Sequence, residues 1–362
     1  MKKICFVVYD INVLGGAEQV TVNLANALCD IYQIHIYSIC SSAEKSIIYQ
    51  LDKRIMVEYG GNPHLRIRQL TTTNFKPFTK YVKRNKFDYV FTAGVYAGAI
   101  TLLTQKFVKT RFVFCDHGAL MNQWKEKDVT FLRWVVSKIS WRTVVLTDTT
   151  KNDYIKQFHL RKEKVIRIYN WIDPKLVVQN KNNLYNAESK KIITVARLSS
   201  EKGCDLLVEV AKKVLTRYTE WTWDVYGDGE DKESLQEKIR HYKIENQLIL
   251  KGRVKEVNKF FGKYAMYVLT SYREGLPLVL LEALVSKLPM VSFDIQTGPN
   301  EIIDNDNGIL IPAYDCEKMA EEIERLIAHV EMRKKMSKAT ETNLKKFEYN
   351  SILQQWIDLI EM

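Results

Sequence analysis

At 362 residues the chain is about twice the length of a typical domain, so two domains are expected. Its 46% hydrophobic and 27% charged content excludes a disordered or fibrous chain, and no run of about 18 uncharged apolar residues suggests a membrane span. The net charge of +11 is one-sided: residues 1–170 hold 26 Lys+Arg against 13 Asp+Glu, the remainder 28 against 30, which points to a polyanionic surface, either nucleic acid or an anionic membrane face.

The opening MKKICFVVYD runs straight into a strand pattern without a cleavage region, so a soluble, cytoplasmic-side protein is expected. Cys5, Cys29, Cys40, Cys115, Cys204 and Cys316 are scattered, with neither CxxC nor zinc spacing, and read as reduced, mostly buried thiols. The first strand is KICFVVYD, followed by the loop INVLGG and the helix AEQVTVNLANALC. Gly15-Gly16 before that helix would let a backbone approach a ligand closely. The pattern is not GxGxxG, and no ribose-binding acid follows at the dinucleotide distance.

YQIHIYSIC, DYVFTAG and RFVFCDHG read as further strands, the last two ending in polar or glycine residues as parallel strands do where they meet a site. This makes Asp116-His117-Gly118 a candidate turn. Between the strands, HLRIRQ and KPFTKYVKRNKF supply much of the basic excess. In FLRWVVSKISWR, helical spacing puts Leu132, Val135, Val136 and Ile139 on a core stripe and Trp134, Lys138 and Trp141 on another side. Tryptophan beside lysine on an exposed face suits the water–lipid boundary. Peripheral contact with an anionic membrane through Trp134, Lys138 and Trp141 is therefore expected.

The polar stretch from Pro174 lacks a clear period and reads as a linker. The expected division is 1–173 for the first domain, 174–190 for the linker, 191–345 for the second domain and 346–362 for a closing helix. KIITVARLSSEKGCDLLVEVAKKV opens the second domain as strand, loop and helix. Arg197 as a fork and Lys202 as a point charge, five residues apart before a helix, suit a diphosphate. WTWDVYGDGED ends a strand in a turn at Gly227, and QLILKGRV ends one at Arg253-Val254.

TSYREGLPLVLLEAL follows an apolar strand expected over Ala265–Ser271. Its turn is at Glu274-Gly275, Pro277 suits the first helical position, and Leu278, Leu281, Leu284 and Val285 repeat at helical spacing. The turn and the first helical N–H groups make an anion site, flanked by Glu274 and Glu282. Beyond it, PMVSFDIQTGPNEIIDNDNGILIP reads as a strand, a Gly-Pro turn, one helical turn and a hairpin-like Asn-Gly turn. Asp304-Asn305-Asp306 is read there as turn chemistry, not as a metal motif. The tail is read as an amphipathic helix or pair and a last helix.

REGLPLVLLEAL, with seven residues between its two glutamates, resembles the signature of the retaining family 4 glycosyltransferases of the bacterial surface-polysaccharide type. Gly16, the Asp116-His117 pair, the Arg-x4-Lys-Gly spacing at Arg197 and Lys202, and IYNWID at the hinge are similar to other parts of that pattern. Trp171 stands where the family has glycine, so no ligand role is given to Asn170. The resemblance implies an α/β protein of GT-B fold: two Rossmann-like doubly wound domains, donor on the second and acceptor on the first. It implies that Arg197, Lys202 and the N–H groups of Gly275 and Leu276 take the leaving diphosphate. Glu274 would hold donor-sugar hydroxyls and Glu282 the ribose. Gly227, Arg253, Val254 and Pro277 complete the donor site, and His117 contacts the donor sugar. No cofactor or metal is implied. The substrates are a nucleotide sugar, with UDP expected, and a glycan acceptor carried on a lipid. An epimerase of the same fold is the alternative. A nucleic-acid-binding module would account for the charge alone, and no helix-turn-helix or RNA-binding signature supports it.

Overall fold

The computed structural model describes residues 1–13, 15–41, 49–180 and 185–362. Two compact units result: Met1–Tyr169 with Leu353–Met362, and Asn170–Ile352.

In the first unit, β1 (Lys3–Val8), β2 (Gln33–Cys40), β3 (Met56–Asn62), β4 (Tyr89–Ala93), β5 (Arg111–Asp116), β6 (Arg142–Val145) and β7 (Val165–Arg167) form one sheet. Their order is β3-β2-β1-β4-β5-β6-β7, and every pairing is parallel. Strands such as KICFVV are almost wholly buried because helices cover both faces, which is why they read as apolar runs and not as alternation. Cys5, Val7, Phe78 and Phe112 belong to the core on one side, and Phe114, Val136, Val145 and Tyr154 to another.

The second unit repeats the plan with β8 (Lys191–Val195), β9 (Thr222–Tyr226), β10 (Leu248–Gly252), β11 (Met266–Leu269), β12 (Met290–Asp294) and β13 (Gly308–Pro312). The order is β10-β9-β8-β11-β12-β13, again parallel throughout. Trp223, Val268 and Phe293 lie in its core with the helix Cys204–Arg217. Among the described residues no helix is long and apolar enough to cross a membrane. The six cysteines are free thiols, five of them buried.

Several local expectations change. Pro174–Asn180, read as linker, is a helix of the second unit. Proline suits a first helical position, and Asp173 Oδ1 accepts the Lys175 N–H at 2.8 Å, so the stretch is capped as well as polar. Residues 181–184 of that stretch lie outside the described residues. The Asn-Gly turn near 307 does not make a hairpin, since β12 and β13 run parallel. Asp304 Oδ1 accepts the N–H groups of Asp306 and Asn307 at 2.9 and 3.0 Å, using that carboxylate to close the turn. The tail forms the helix pair Cys316–Ala328 and Val330–Leu344, and a last helix, Tyr349–Glu361, ends in the first unit.

Candidate active site

The chain passes from β8 to β9 and β10 on one side, then returns to place β11 on the other side of β8. Such a reversal opens a crevice at the carboxyl ends of the two strands where doubly wound sheets bind ligands. Arg197 and Lys202 follow β8, and the turn at Glu274 follows β11. Gly227 follows β9 and Arg253-Val254 follow β10, so the residues predicted for the donor share one sheet edge.

The side chains meet as well. Lys202 Nζ donates to Glu274 Oε1 at 2.9 Å, and Ser271 Oγ donates to the same oxygen at 2.7 Å. Both members of the ion pair are largely buried, with side-chain exposures of 24% and 9%. Two glycines let the turns at this edge pack closely, Gly203 against the residue after β11 and Gly227 against the residue after β8. Gly203 has φ +60, and a Cβ there would lie 2.0 Å from the Thr270 carbonyl oxygen; at Gly227, with φ +142, it would lie 1.8 Å from that of Ala196. A larger residue at either position would drive neighbouring loops apart.

Arg197 is exposed and has no ion pair among the described residues. The N–H groups of Gly275 and Leu276 likewise have no acceptor there. The helix starts at Leu278 with Pro277 as the extended residue before it (φ −70, ψ 110), one position earlier than predicted for the proline, whose fixed φ suits both. Leu278 is partly exposed, while Leu280 and Ala283 join Leu281, Leu284 and Val285 in the buried set. The Lys202–Glu274 pair, one further cation in Arg197 and the unpaired amides share this sheet edge, an arrangement that can receive an anion.

Glu282 sits in the second turn of that helix, partly buried. Burial, and then the Asp173 carboxylate, push its carboxyl up to about 7. Because this folded value exceeds the ordinary 4.5, the fold favours the protonated form. The cost is absent below about pH 4.5, grows between there and 7, and is full above that. Glu282→Gln is therefore expected to stabilise the protein by about 1–3 kcal/mol at pH 8 and not at pH 4.5. Melting curves of both forms at the two pH values check this; a gain at pH 4.5 equal to that at pH 8 would contradict the assignment.

In the first unit the reversal falls between β1 and β4. Gly16 opens the helix Gly16–Leu28, and space for a Cβ remains there, so no protein neighbour demands the glycine. At the end of β5, Asp116 is buried and fully engaged. Tyr154 Oη donates to its Oδ2 at 2.6 Å, the Gly118 N–H to its Oδ1 at 3.1 Å, and Arg133 Nε forms an ion pair with Oδ2 at 3.0 Å, at an angle outside hydrogen-bond range. The acid thus braces the turn that carries His117. His117 Nδ1 is buried without a partner among the described residues. Burial outweighs the pull of Asp116 and lowers the ring's pKa to about 4, giving a neutral imidazole near pH 7.

Residues that the sequence reading passed over gather beside β1. The buried Asp10 carboxylate holds His64 Nε2 at 2.9 Å and accepts the Asn12 N–H at 3.0 Å. Asn12 is itself buried, with both amide atoms unpartnered among the described residues. Tyr9 packs against His64 and Tyr96. Asp10 at the end of the first strand was the available signal.

The expected membrane trio is not one face. The helix is Lys127–Ile139, and Trp141 lies beyond its end, beneath the guanidinium groups of Arg111 and Arg142 at 4.8 and 4.4 Å from its ring. Val129, Arg133, Val136 and Ser137 are buried, whereas Ile139 is 43% exposed, in company with Phe131 at 59% and Trp134 at 41%. Lys138 is exposed and reaches the His159 carbonyl. The helix is rotated from the predicted stripe because Arg133 turns inward to pair with Asp116.

Residues 14–176 match the family description Glycosyltransferase Family 4, and residues 178–343 match Glycosyl transferases group 1. The chain belongs to the family 4, group 1 glycosyltransferases. This glycosyltransferase is 26% identical over 364 residues to the amylovoran biosynthesis glycosyltransferase AmsD of Erwinia amylovora, covering 99% of this chain and all of the relative. It is also 26% identical over 371 residues to an α-1,4-N-acetyl-D-galactosaminyltransferase of Campylobacter jejuni, whose name gives a glycan on PP-undecaprenol; 99% of this chain and 98% of the relative are covered. Anabaena Alr3699/HepE, solved with UDP, superposes with a TM-score of 0.82 at 18% identity over the whole of both chains. The glycosyltransferase has the GT-B fold.

Proposed function

We propose that this glycosyltransferase moves a sugar from a UDP-sugar to a glycan hydroxyl, with retention of configuration and without a metal ion, during synthesis of a bacterial surface polysaccharide. The observation that supports the reading is the Lys202–Glu274 pair at the β8–β11 reversal, on the sheet edge that also carries Arg197 after β8 and the open amides of Gly275 and Leu276 after β11. The cations and amides take the charge that a metal would otherwise offset. Glu274 holds sugar hydroxyls and faces the developing positive charge, and Glu282 accepts from the ribose. Gly227, Arg253, Val254 and Pro277 complete the donor site. Neutral His117 hydrogen-bonds the donor sugar, and Gly16 leaves room for backbone approach. The bond from anomeric carbon to diphosphate oxygen breaks, its electron pair leaves on the diphosphate, and the acceptor oxygen bonds to the same face as its proton passes to the departing phosphate.

UDP is supported by the UDP complex of a fold neighbour, and a lipid-carried acceptor by the name of the Campylobacter relative. No observation favours the epimerase. The deciding experiment screens UDP-sugars for thermal stabilisation, which should reach about 2.7 kcal/mol at a hundredfold excess over Kd. The anomeric configuration of the product is then read by NMR. An inverted product would overturn retention, and the absence of any stabilisation by UDP or a UDP-sugar would overturn the donor assignment.

The reading also puts the enzyme on the cytoplasmic side, bound peripherally to an anionic membrane. Phe131, Trp134, Lys138 and Ile139, at helical spacing on an exposed face, support it. Retention of Phe131→Ser/Trp134→Ser on anionic vesicles as complete as that of the parent protein would exclude this face.

A further inference from the structure

The end of the first sheet opposite the turns at Gly16 and His117 carries a second concentration of charge. Because all seven strands are parallel, their amino ends share one edge, about 20 Å from the carboxyl ends for a six-residue strand. Along adjacent strands this edge presents Lys2 before β1, Lys86 before β4, Lys109 and Arg111 at β5, Arg142 at β6 and Lys164 just before β7. Five strands at about 4.8 Å spacing make a row about 19 Å long.

Part of the row lines a groove of about 720 Å³ containing Lys2, Lys83, Lys86, Lys109 and Arg111, with Asp88 and Glu361 as its acidic side chains. Both acids are already engaged. Asp88 accepts the Lys3 N–H at 2.7 Å, and Glu361 accepts from Lys2 at 2.9 Å and Tyr32 at 2.7 Å. Lys83, Lys86 and Lys109 are exposed and have no ion pair among the described residues. Beside the groove, Arg111 and Arg142 share the Trp141 ring, and Lys164 donates to the Lys138 carbonyl. Burial and the neighbouring Lys138, Arg161 and Arg142 lower the Lys164 pKa. Like charges gathered in single file repel one another, and nothing in the donor site requires them here.

We propose that this edge binds a linear polyanion: an extended glycan or polyol chain bearing a phosphate or carboxylate in each repeating unit. A row of cations in a groove matches a chain better than a bilayer, which presents its charge over a plane. Guanidinium groups held over a tryptophan ring suit phosphate or carboxylate oxygens. The growing polymer is thereby held by the enzyme away from the reacting edge, which goes beyond the donor chemistry proposed above and does not depend on it.

The test compares the full-length enzyme with Lys83→Glu/Lys86→Glu/Lys109→Glu, using fluorescent polygalacturonate oligomers, linear polyphosphate, neutral dextran and vesicles containing phosphatidylglycerol. The parent enzyme is expected to bind either polyanion, more weakly as salt rises, and not dextran. The variant should bind about 10–100-fold more weakly while keeping its melting temperature and UDP-induced stabilisation. Equal binding by parent and variant, or no polyanion binding by the parent, overturns the proposal. So does loss of vesicle binding in the variant with polyanion binding intact, which would assign the edge to a membrane.

Discussion

Lys202→Ala is expected to slow turnover by about 10²–10³-fold, by analogy with the removal of a single oxyanion-stabilising donor. The substitution acts twice. It deletes the cation proposed for the leaving diphosphate, and it strips Glu274 of the ammonium 2.9 Å away, leaving a nearly buried carboxylate that would oppose an anionic substrate. Lys202→Ala should therefore be more damaging than Arg197→Ala, whose side chain has no carboxylate partner among the described residues. Glu274→Gln should relieve the second effect, so the Lys202/Glu274 pair should be non-additive in a double-mutant cycle. Initial rates of UDP release check both statements. A Lys202→Ala enzyme with near-parental kcat would remove Lys202 from the chemistry.

Why this part of the site was legible and others were not follows from sequence distance. Arg197 and Lys202 lie within one strand-loop-helix unit, and so do Glu274 and Glu282, so local pattern placed each pair at a strand end. Their convergence needed only the rule that parallel strands share an edge. The Asp10–His64 contact spans 54 residues and joins two loops with no common motif, so nothing local announces it. Trp141 misled because helical spacing was extended past Ser140, where ψ of 148 ends the helix. Ile139 was counted as core for being apolar, although a helix turned by one buried arginine exposes it. The 174–180 helix was hidden by polar composition, while its cap, Asp173 before Pro174, was readable as a helix start.

That buried arginine supports the other large expectation. Arg133→Ala should destabilise the first unit by about 3–5 kcal/mol, because it removes one partner of a buried ion pair and leaves the Asp116 charge with the Tyr154 hydroxyl and the Gly118 N–H alone. For a unit of this size that lowers its melting temperature by roughly 6–20 °C. Tyr154→Phe, which deletes one hydrogen bond to a charged group, should cost less, about 1.5–3 kcal/mol. The functional consequence is specific: Asp116 braces the turn that presents His117, so Arg133→Ala assayed well below its melting temperature should lose transfer while UDP still stabilises the second unit. Unfolding followed by calorimetry, with and without UDP, separates the two units. If Arg133→Ala cost less than about 1 kcal/mol, or abolished the UDP response, the proposed division of labour between the braced His117 turn of the first unit and an anion site that forms independently on the second would fail.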